Sequence, residues 1–208
     1  MNKKLVSIAA VGILAGPVVA QAAVILSDDF ESNSYGLNSV PNGWGVVGGT
    51  VDIVGPGPGG FGLACNSGSV CIDLDGSTSL AGTMQNQFNE TVGETYSLSF
   101  WLSGNQRGGA ADTVYVTVGF PGDVASLTVP DIASTAAFTM YTLNWTSIAG
   151  GTAFISFHNL GGDNIGAILD DVTLSSGGGT VPVPEPATLS LMGLGLAVVG
   201  LIRRKRAR

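Results

Sequence analysis

Carboxylate side chains are the most numerous groups in this chain that could do chemistry. Fourteen Asp and Glu residues lie from Asp28 to Asp171, and Arg107 is the single Lys or Arg among them, so this stretch carries a net charge of about −13. Carboxylates without basic partners attract hard cations, above all Ca²⁺, and they repel phosphates. The composition therefore predicts either bound calcium or a well-solvated acidic surface, and it excludes binding to nucleic acid.

Residues that could carry out catalysis are few. Asp73 and Asp75 have the i, i+2 spacing that places two side chains on one side of a strand, where they could form the acid pair of a glycosidase. His158 is the only histidine, so a zinc site lacks its ligands, and no nucleophile motif accompanies that histidine. We predict that the protein is not an enzyme, with hydrolysis of a glycan as the less favoured alternative.

Two aromatic residues form the best candidate for a ligand site. Trp101 lies on the polar side of the alternating run Thr95–Ser103, and Tyr115 on the polar side of Thr113–Val118. The segment between them, Gly104–Gly109, has the composition of a turn. Across such a hairpin the two rings would lie opposite one another and could bind the apolar face of a sugar. The alternative is an ordinary cross-strand pair.

Cys65 and Cys71 are the only cysteines. In an exported protein, which the chain ends described below indicate, two cysteines this close are expected to form a disulfide that closes a small loop. Such a bond stabilises a fold mainly by restricting the unfolded chain.

The elements that position these residues are predicted to be strands. The 32 glycines and the repeated period-two alternation favour many short strands over helices. Beyond the two runs named above, the predicted strands are Thr50–Val54, Val70–Leu74, Gly82–Phe88, Ala125–Val129, Phe138–Thr146, Ala153–Asn159 and Ala167–Leu174. Trp44 and Trp145 are expected in the core. We predict an all-β domain over residues 23–175, an antiparallel two-sheet sandwich of jelly-roll type.

The N-terminus reads as a secretory signal peptide. Lys3 and Lys4 precede an apolar stretch from Leu5 to about Val19, and small residues follow at Ala20 and Ala22. We expect an apolar signal helix that is cleaved after Ala22.

The C-terminus has three parts in a fixed order. After a Gly/Pro linker at 176–182 come Pro184-Glu185-Pro186, an apolar segment from Ala187 to Ile202, and a basic end that includes Arg203 and Arg204. As a helix the apolar segment would span about 24 Å, slightly short for a bilayer core. This order resembles the PEP-CTERM sorting signal of exopolysaccharide-producing Gram-negative bacteria. The resemblance covers residues 183–208 and implies recognition and cleavage by an exosortase.

A second resemblance covers nearly the whole domain. The motifs Asp29-Phe30-Glu31, Pro41-Asn42-Gly43-Trp44, Val51-Asp52-Ile53-Val54, Ile72-Asp73-Leu74-Asp75-Gly76, Gln85-Asn86-Gln87-Phe88, Val92–Phe100, Gly104-Asn105 and Ala167–Val172 occur in this order. They resemble the "choice-of-anchor C" family of galactose-binding-like, carbohydrate-binding-module-like sandwiches. The sequence departs from that pattern at Trp101 and in the Gly/Pro-rich segment after Asp52.

The second resemblance also implies a structural Ca²⁺ between the two ends of the domain. Its ligands would be Glu31 and Asp170 first, then Asp29 and Asp171. In regular strand alternation Asp170 and Asp171 face opposite sides, so only one of them would reach such a site easily. The alternative is that these acids cap turns or remain solvated.

These observations predict a non-catalytic protein that the secretion machinery exports and that the C-terminal helix holds in the membrane until an exosortase processes it. Its expected place is the cell surface or a biofilm matrix, and its expected partner there is extracellular polysaccharide. The alternative is a structural or adhesion protein of the matrix that acts through self-association or contacts with proteins.

Overall fold

The computed structural model describes residues 22–177, and the regular secondary structure in this part of the chain consists of strands. They are β1 Ala23–Asp28, β2 Gly45–Val47, β3 Asp52–Val54, β4 Cys71–Asp73, β5 Thr83–Glu90, β6 Thr95–Ser103, β7 Asp112–Phe120, β8 Asp123–Ile132, β9 Thr139–Thr146, β10 Gly151–Asn159 and β11 Ile168–Ser176. Within residues 22–177 there is no helix of the length and apolar character that a membrane crossing requires.

The strands form two sheets. One has six strands in the order β3-β4-β11-β6-β9, with β1 also paired to β11, and the other has five in the order β2-β5-β10-β7-β8. Every pair of named strands is antiparallel. The predicted antiparallel two-sheet sandwich is therefore confirmed. The predicted signal helix, linker and C-terminal helix lie outside the described residues.

Strand alternation builds the core between the sheets. In β6 the inward residues Tyr96, Leu98, Phe100 and Leu102 are buried, while the side chains between them are only partly covered. Phe100 meets Phe157 of β10 edge to face with ring centroids 5.1 Å apart, which joins the two sheets at the centre. The described residues thus hold a continuous core of their own, as a domain that folds independently does.

The predicted core positions of two tryptophans are confirmed. Trp44 and Trp145 are both buried, and each indole nitrogen has a carboxylate partner. Trp44 Nε1 donates to Asp28 Oδ2 at 2.7 Å, and Trp145 Nε1 donates to Glu90 Oε1 at 2.7 Å. Two of the acidic residues are therefore used to satisfy buried aromatic donors.

Each predicted strand overlaps a strand of the structure, and the run Thr95–Ser103 coincides with β6. Two strands were not predicted. β1 begins at Ala23, directly after the predicted cleavage site and close to the apolar signal segment, and β2 is a short run among glycines. Neither segment is long and alternating enough to be recognised from its pattern.

The predicted hairpin between β6 and β7 is wrong. β6 belongs to the six-stranded sheet and β7 to the five-stranded sheet, so the segment between them crosses from one sheet to the other. This segment pairs with a different part of the chain, because Gly104 N donates to Ala136 O and Gln106 N donates to Ser134 O. A Cβ on Gly104 would collide with the backbone at Ala133, so this close approach requires glycine.

Candidate functional site: two outer faces and two carboxylate clusters

The outer face of the five-stranded sheet carries amide, hydroxyl and aromatic groups. Its outward residues include Gln85, Gln87 and Asn89 of β5, Phe154, Ser156 and His158 of β10, Thr113, Tyr115 and Thr117 of β7, and Ser126 and Thr128 of β8. None of these residues is Asp, Glu, Lys or Arg. We refer to this surface as the amide–aromatic face.

Cross-strand register arranges these residues in rows. His158 lies between Thr83 and Tyr115, and its Nδ1 is 3.3 Å from Thr83 Oγ1. In the next row Ser156 lies between Gln85 and Thr117. Tyr115 is 41% exposed, so its ring is available to a ligand beside the imidazole of His158.

A groove of about 460 Å³ lies at the β2 side of this face. Gly43, Gly45, Gln85, Gln87 and Phe154 contribute to its lining. Gly45 is the register partner of Gln85 and has no side chain, which leaves space above the β5 glutamines. An aromatic ring beside amide groups in an open groove is the combination that sugar recognition uses.

The outer face of the six-stranded sheet is different. Its outward residues are mostly Ser and Thr, and Trp101 lies between Met140 of β9 and Asp170 of β11. Trp101 is half-buried, and Met140 is 55% exposed. Because Trp101 and Tyr115 belong to different sheets, the structure contradicts the predicted shared platform; binding by either residue alone stays a prediction.

The predicted Cys65–Cys71 disulfide is confirmed, with the two Cα atoms 5.6 Å apart. Three of the acids that the second resemblance singled out surround the loop it closes. Glu31 Oε1 accepts hydrogen bonds from Ser69 N and Val70 N, both at 2.7 Å. We call Glu31, Asp170 and Asp171 together with this loop the disulfide-loop cluster.

Asp170 and Asp171 both bind the same loop, contrary to the predicted opposite orientations. Asp170 Oδ2 accepts from the backbone of Asn66 and Ser67, while the side chains of those two residues donate to Asp171. A register shift after Asp170 and a φ of 48° at Asp171 break the alternation. A β-bulge of this kind redirects a side chain that would otherwise face the far side.

The pKa of Asp170 shows how the disulfide-loop cluster balances burial against hydrogen bonds. Burial raises the pKa of Asp170 to about 6, and the charge of Asp171 adds to the rise, while backbone donors of Ser67, Asp171 and Asn66 oppose it. Asp29 is outside this cluster, since its Oδ1 accepts only from the nearby Glu31 N at 3.2 Å.

A second group of carboxylates lies where the loops after β4, β6 and β10 meet. Arg107 Nη2 forms an ion pair with Asp73 Oδ2. Asp73 Oδ1 accepts from Asp75 N at 3.0 Å and Gly166 N at 2.9 Å. Burial raises the pKa of Asp73 to about 7, against the lowering effect of Arg107. We call Asp73, Asp75, Arg107 and Asp112, with the amides that bind them, the interloop cluster.

Amide side chains complete the interloop cluster. Asp112 accepts from Asn105 Nδ2 at 3.1 Å and Asn159 Nδ2 at 3.2 Å. Burial raises the pKa of Asp112, and the charges of Asp163 and Asp75 add to the rise, while these two amides oppose it. Asp73 and Asp75 are fully buried, so the hypothetical glycosidase pair could not reach a substrate.

The predicted calcium ligands do not form a cation site by themselves. Within residues 22–177 no three side chains of Asp, Glu, His or Cys are grouped so as to hold a metal ion. Glu31, Asp170 and Asp171 come to one loop, but N–H and O–H donors occupy their oxygens. Calcium binding by these residues therefore stays an untested prediction.

Several residues of the amide–aromatic face have no predicted role in binding. The sequence patterns place Gln85, Gln87, Phe154 and His158 on strands and give no sign of a ligand site there. The available signal was the alternation in β5 and β10, where polar or aromatic residues occupy every outward position. Their meeting with Tyr115 depends on β10 lying between β5 and β7, which no local pattern encodes.

Fold and surface together define a class of protein, an all-β sandwich with one uncharged outer face. The chain belongs to the family described as "Protein of unknown function (DUF642)", whose model matches residues 27–175. A second model, the PEP-CTERM protein-sorting motif, matches residues 182–206 and confirms the first resemblance. This motif implies processing by an exosortase, and with it export to a cell-surface or extracellular location. No curated protein matches the chain.

Solved structures of similar fold include carbohydrate-binding modules. The CBM22-1 xylan-binding domain of Paenibacillus barcinonensis Xyn10C has 16% identity and a TM-score of 0.52, covering 78% of this chain and 100% of that one. The CBM22-1-GH10 modules of Clostridium thermocellum Xyn10B, complexed with xylohexaose, have 17% identity and a TM-score of 0.51, covering 78% of this chain and 30% of that one. At these identities the likeness shows the fold alone, and it confirms the sandwich fold that the second resemblance implies.

Proposed function

We propose that this protein is a non-catalytic glycan-binding protein of the cell exterior, and that it binds neutral polysaccharide on its amide–aromatic face. The observation that carries the proposal is the placement of Tyr115, His158 and Phe154 among glutamines and hydroxyls on a sheet face without charged residues. Aromatic rings bury the apolar faces of sugars, and amides fix their hydroxyl groups.

The spacing of the rings suits an extended polymer. Phe154 and His158 are both outward on β10 and four residues apart, which is about 13 Å along a strand. Tyr115 lies directly beside His158. A linear glycan that follows β10 could therefore contact Phe154 with one sugar ring and the Tyr115–His158 pair with another.

Charge favours a neutral polymer over an acidic one. The segment from Asp28 to Asp171 has a net charge of about −13, and its Arg107 is held in the interloop cluster. A uronic-acid polysaccharide would meet long-range repulsion with no Lys or Arg on the face to offset it. A neutral glycan needs only the hydrogen bonds and aromatic contacts that this face offers.

Binding of purified residues 22–177 to soluble polysaccharides, measured by calorimetry and affinity electrophoresis, tests the proposal. Xylan and a neutral β-glucan represent the expected ligands, and alginate represents the acidic class. We expect binding to at least one neutral polymer, and Tyr115→Ala should weaken it by about tenfold. Gln85→Ala should weaken it as well.

Trp101→Ala is the matched control, since it removes an aromatic ring from the opposite face. Loss of binding in Trp101→Ala with full binding in Tyr115→Ala would contradict the proposal and move the ligand to the six-stranded sheet. Absence of binding to every polymer, together with concentration-dependent self-association in sedimentation, would contradict it in favour of the alternative role as a structural or adhesion protein.

We infer further that the sorting tail delivers this domain to the cell exterior and is then removed. Support comes from the match to the PEP-CTERM motif at residues 182–206. In producing cells, mass spectrometry of the surface fraction should find a mature chain cut after Ala22 and near Pro184–Pro186. Deletion of residues 183–208 should abolish surface attachment, and an uncut chain in the cytosol would contradict the delivery route.

A further inference from the structure

Unpaired polar atoms are concentrated in the interloop cluster. In the part of the chain that the structure describes, four buried side-chain atoms lack a hydrogen-bond partner: Asp75 Oδ1, Arg107 Nε, Asn159 Oδ1 and Asn164 Oδ1. Hydrogen bonds connect Asp75, Arg107 and Asn159 through Asp73, Asn105 and Asp112. Buried polar groups are nearly always paired, so two free oxygens in one network, with a third at Asn164 on the adjoining loop, call for a physical explanation.

The free oxygens of Asp75 and Asn159 are fixed in direction. Both side chains are 0% exposed. Asp75 Oδ2 accepts from Gly162 N at 2.8 Å, and Asn159 Nδ2 donates to Asp112 Oδ1 at 3.2 Å. With one atom of each group held in this way, the other cannot rotate to find a partner.

Both side chains converge on the backbone at Gly161. A Cβ at this position would lie 2.8 Å from Asn159 Nδ2 and would overlap the carboxylate of Asp75. Glycine is therefore required at this position, because any side chain would displace the Asp75 and Asn159 atoms that hold the two free oxygens in direction. Asn164 lies on the same loop, between Gly162 and Gly166, whose backbone nitrogens bind Asp75 and Asp73.

The charge of this region is also uncompensated. Arg107 is the single Lys or Arg between Asp28 and Asp171, and it is paired with Asp73. Asp75, Asp112 and Asp163 have no ion-pair partner within residues 22–177. Asp112 and Asp163 line a pocket of about 230 Å³ together with Gly161 and Gly162, and Gly162 N is a donor to Asp75.

We propose that the interloop cluster is a calcium site in which Asp75 Oδ1, Asn159 Oδ1 and Asn164 Oδ1 are ligands. Asp112 and Asp163 supply negative charge beside it, and backbone carbonyls or water complete the shell. One carboxylate and two amide oxygens on irregular loops suit Ca²⁺, which takes six to eight oxygens in a flexible geometry. This site is separate from the disulfide-loop cluster, where the carboxylates already accept hydrogen bonds.

The test is a calcium titration of residues 22–177 after removal of divalent ions with chelator, followed by calorimetry and thermal unfolding. We expect one Ca²⁺ per chain and a Tm raised by about 5 °C at saturation. Mg²⁺ at the same concentration should have a much smaller effect. Asp75→Asn should weaken calcium binding by at least about tenfold, because it removes the charged ligand.

Asn164→Ala is the second variant, since its position on a partly exposed loop makes loss of the fold less of a concern than for buried Asp75. It should also weaken binding, while Glu31→Gln and Asp170→Asn should bind calcium like the unmodified chain. Absence of binding heat and of any Tm change would overturn the proposal and assign the free oxygens to buried water. Binding that persists in Asn164→Ala and is lost in Asp170→Asn would overturn it in favour of the disulfide loop.

Discussion

The two carboxylate clusters are both rich in acidic residues, but they differ in how completely their oxygens are hydrogen-bonded. In the disulfide-loop cluster, one short loop supplies N–H and O–H donors to Glu31, Asp170 and Asp171. In the interloop cluster, the donors are spread over three loops, and Arg107 is the single charged one. Two oxygens of that cluster, and a third at Asn164 on the adjoining loop, have no hydrogen-bond partner.

This difference teaches that a buried acid is not by itself a sign of a site. Where a loop is shaped to donate to each carboxylate, the acids fix the loop and their oxygens already have hydrogen-bond partners. Where oxygens remain buried, fixed and unpaired, they lack an interaction partner, which a bound ion or an ordered water molecule can supply. Four substitutions, taken from the largest expected effect to the smallest, test this distinction.

The largest effect should come from Arg107→Ala in the interloop cluster. The substitution leaves the buried carboxylate of Asp73 without its counter-charge, which should reduce the free energy of unfolding by about 3 kcal/mol at pH 8. Because the pKa of Asp73 is already raised to about 7, protonation at pH 5 should remove much of this loss. Urea unfolding at both pH values measures the effect.

Arg107→Lys is the control for Arg107→Ala, since it keeps the positive charge. An equal loss at pH 5 and pH 8 would show that Arg107 acts through packing, for example over the ring of Phe61 at 5.4 Å, and not through its charge.

The next effect should come from removal of the disulfide with Cys65→Ser and Cys71→Ser together. A loop this short predicts a loss of about 2 kcal/mol in the free energy of unfolding. If the carboxylates hold the loop as described, the amides of Ser67, Ser69 and Val70 should stay protected in hydrogen exchange. Complete loss of that protection would mean that the disulfide, and not the acids, orders the loop.

A smaller effect is expected from Glu31→Gln in the disulfide-loop cluster. The neutral amide accepts weaker hydrogen bonds from Ser69 N and Val70 N, and the exposed position limits the cost to about 1 kcal/mol. Asp29→Asn is the matched control and should change stability by less than about 0.5 kcal/mol. Equal effects in the two variants would show that the hydrogen bonds from the loop to Glu31 do not stabilise the fold.

The smallest effect concerns the pH dependence that Asp170 confers. Its pKa in the folded chain is about 6, above the ordinary value of 3.8, so the folded state holds the proton more tightly. Its contribution to stability is therefore greatest below pH 4 and falls as the pH rises to 6. In chelator, Asp170→Asn should show a shallower decline between pH 4 and pH 6, and an unchanged slope would contradict the raised pKa.

The sequence by itself determined the strands and the composition of the surfaces. Alternation over Thr95–Ser103 reproduced β6 because inward and outward residues differ at every step. Trp44 and Trp145 could be assigned to the core from their position in the pattern, and the disulfide followed from two nearby cysteines. These features are local, so a short stretch of chain contains enough information to specify them.

The tertiary structure alone decided which residues meet. Trp101 and Tyr115 are separated because the chain changes sheets between β6 and β7, where the crossing segment hydrogen-bonds to the distant residues around Ser134. Asp170 and Asp171 reach one loop because a bulge with positive φ replaces regular alternation. Asp75 and Asn159 come together, each with a free oxygen, because three loops meet at one place. Contacts between such distant parts of the chain produce no periodic pattern in the sequence.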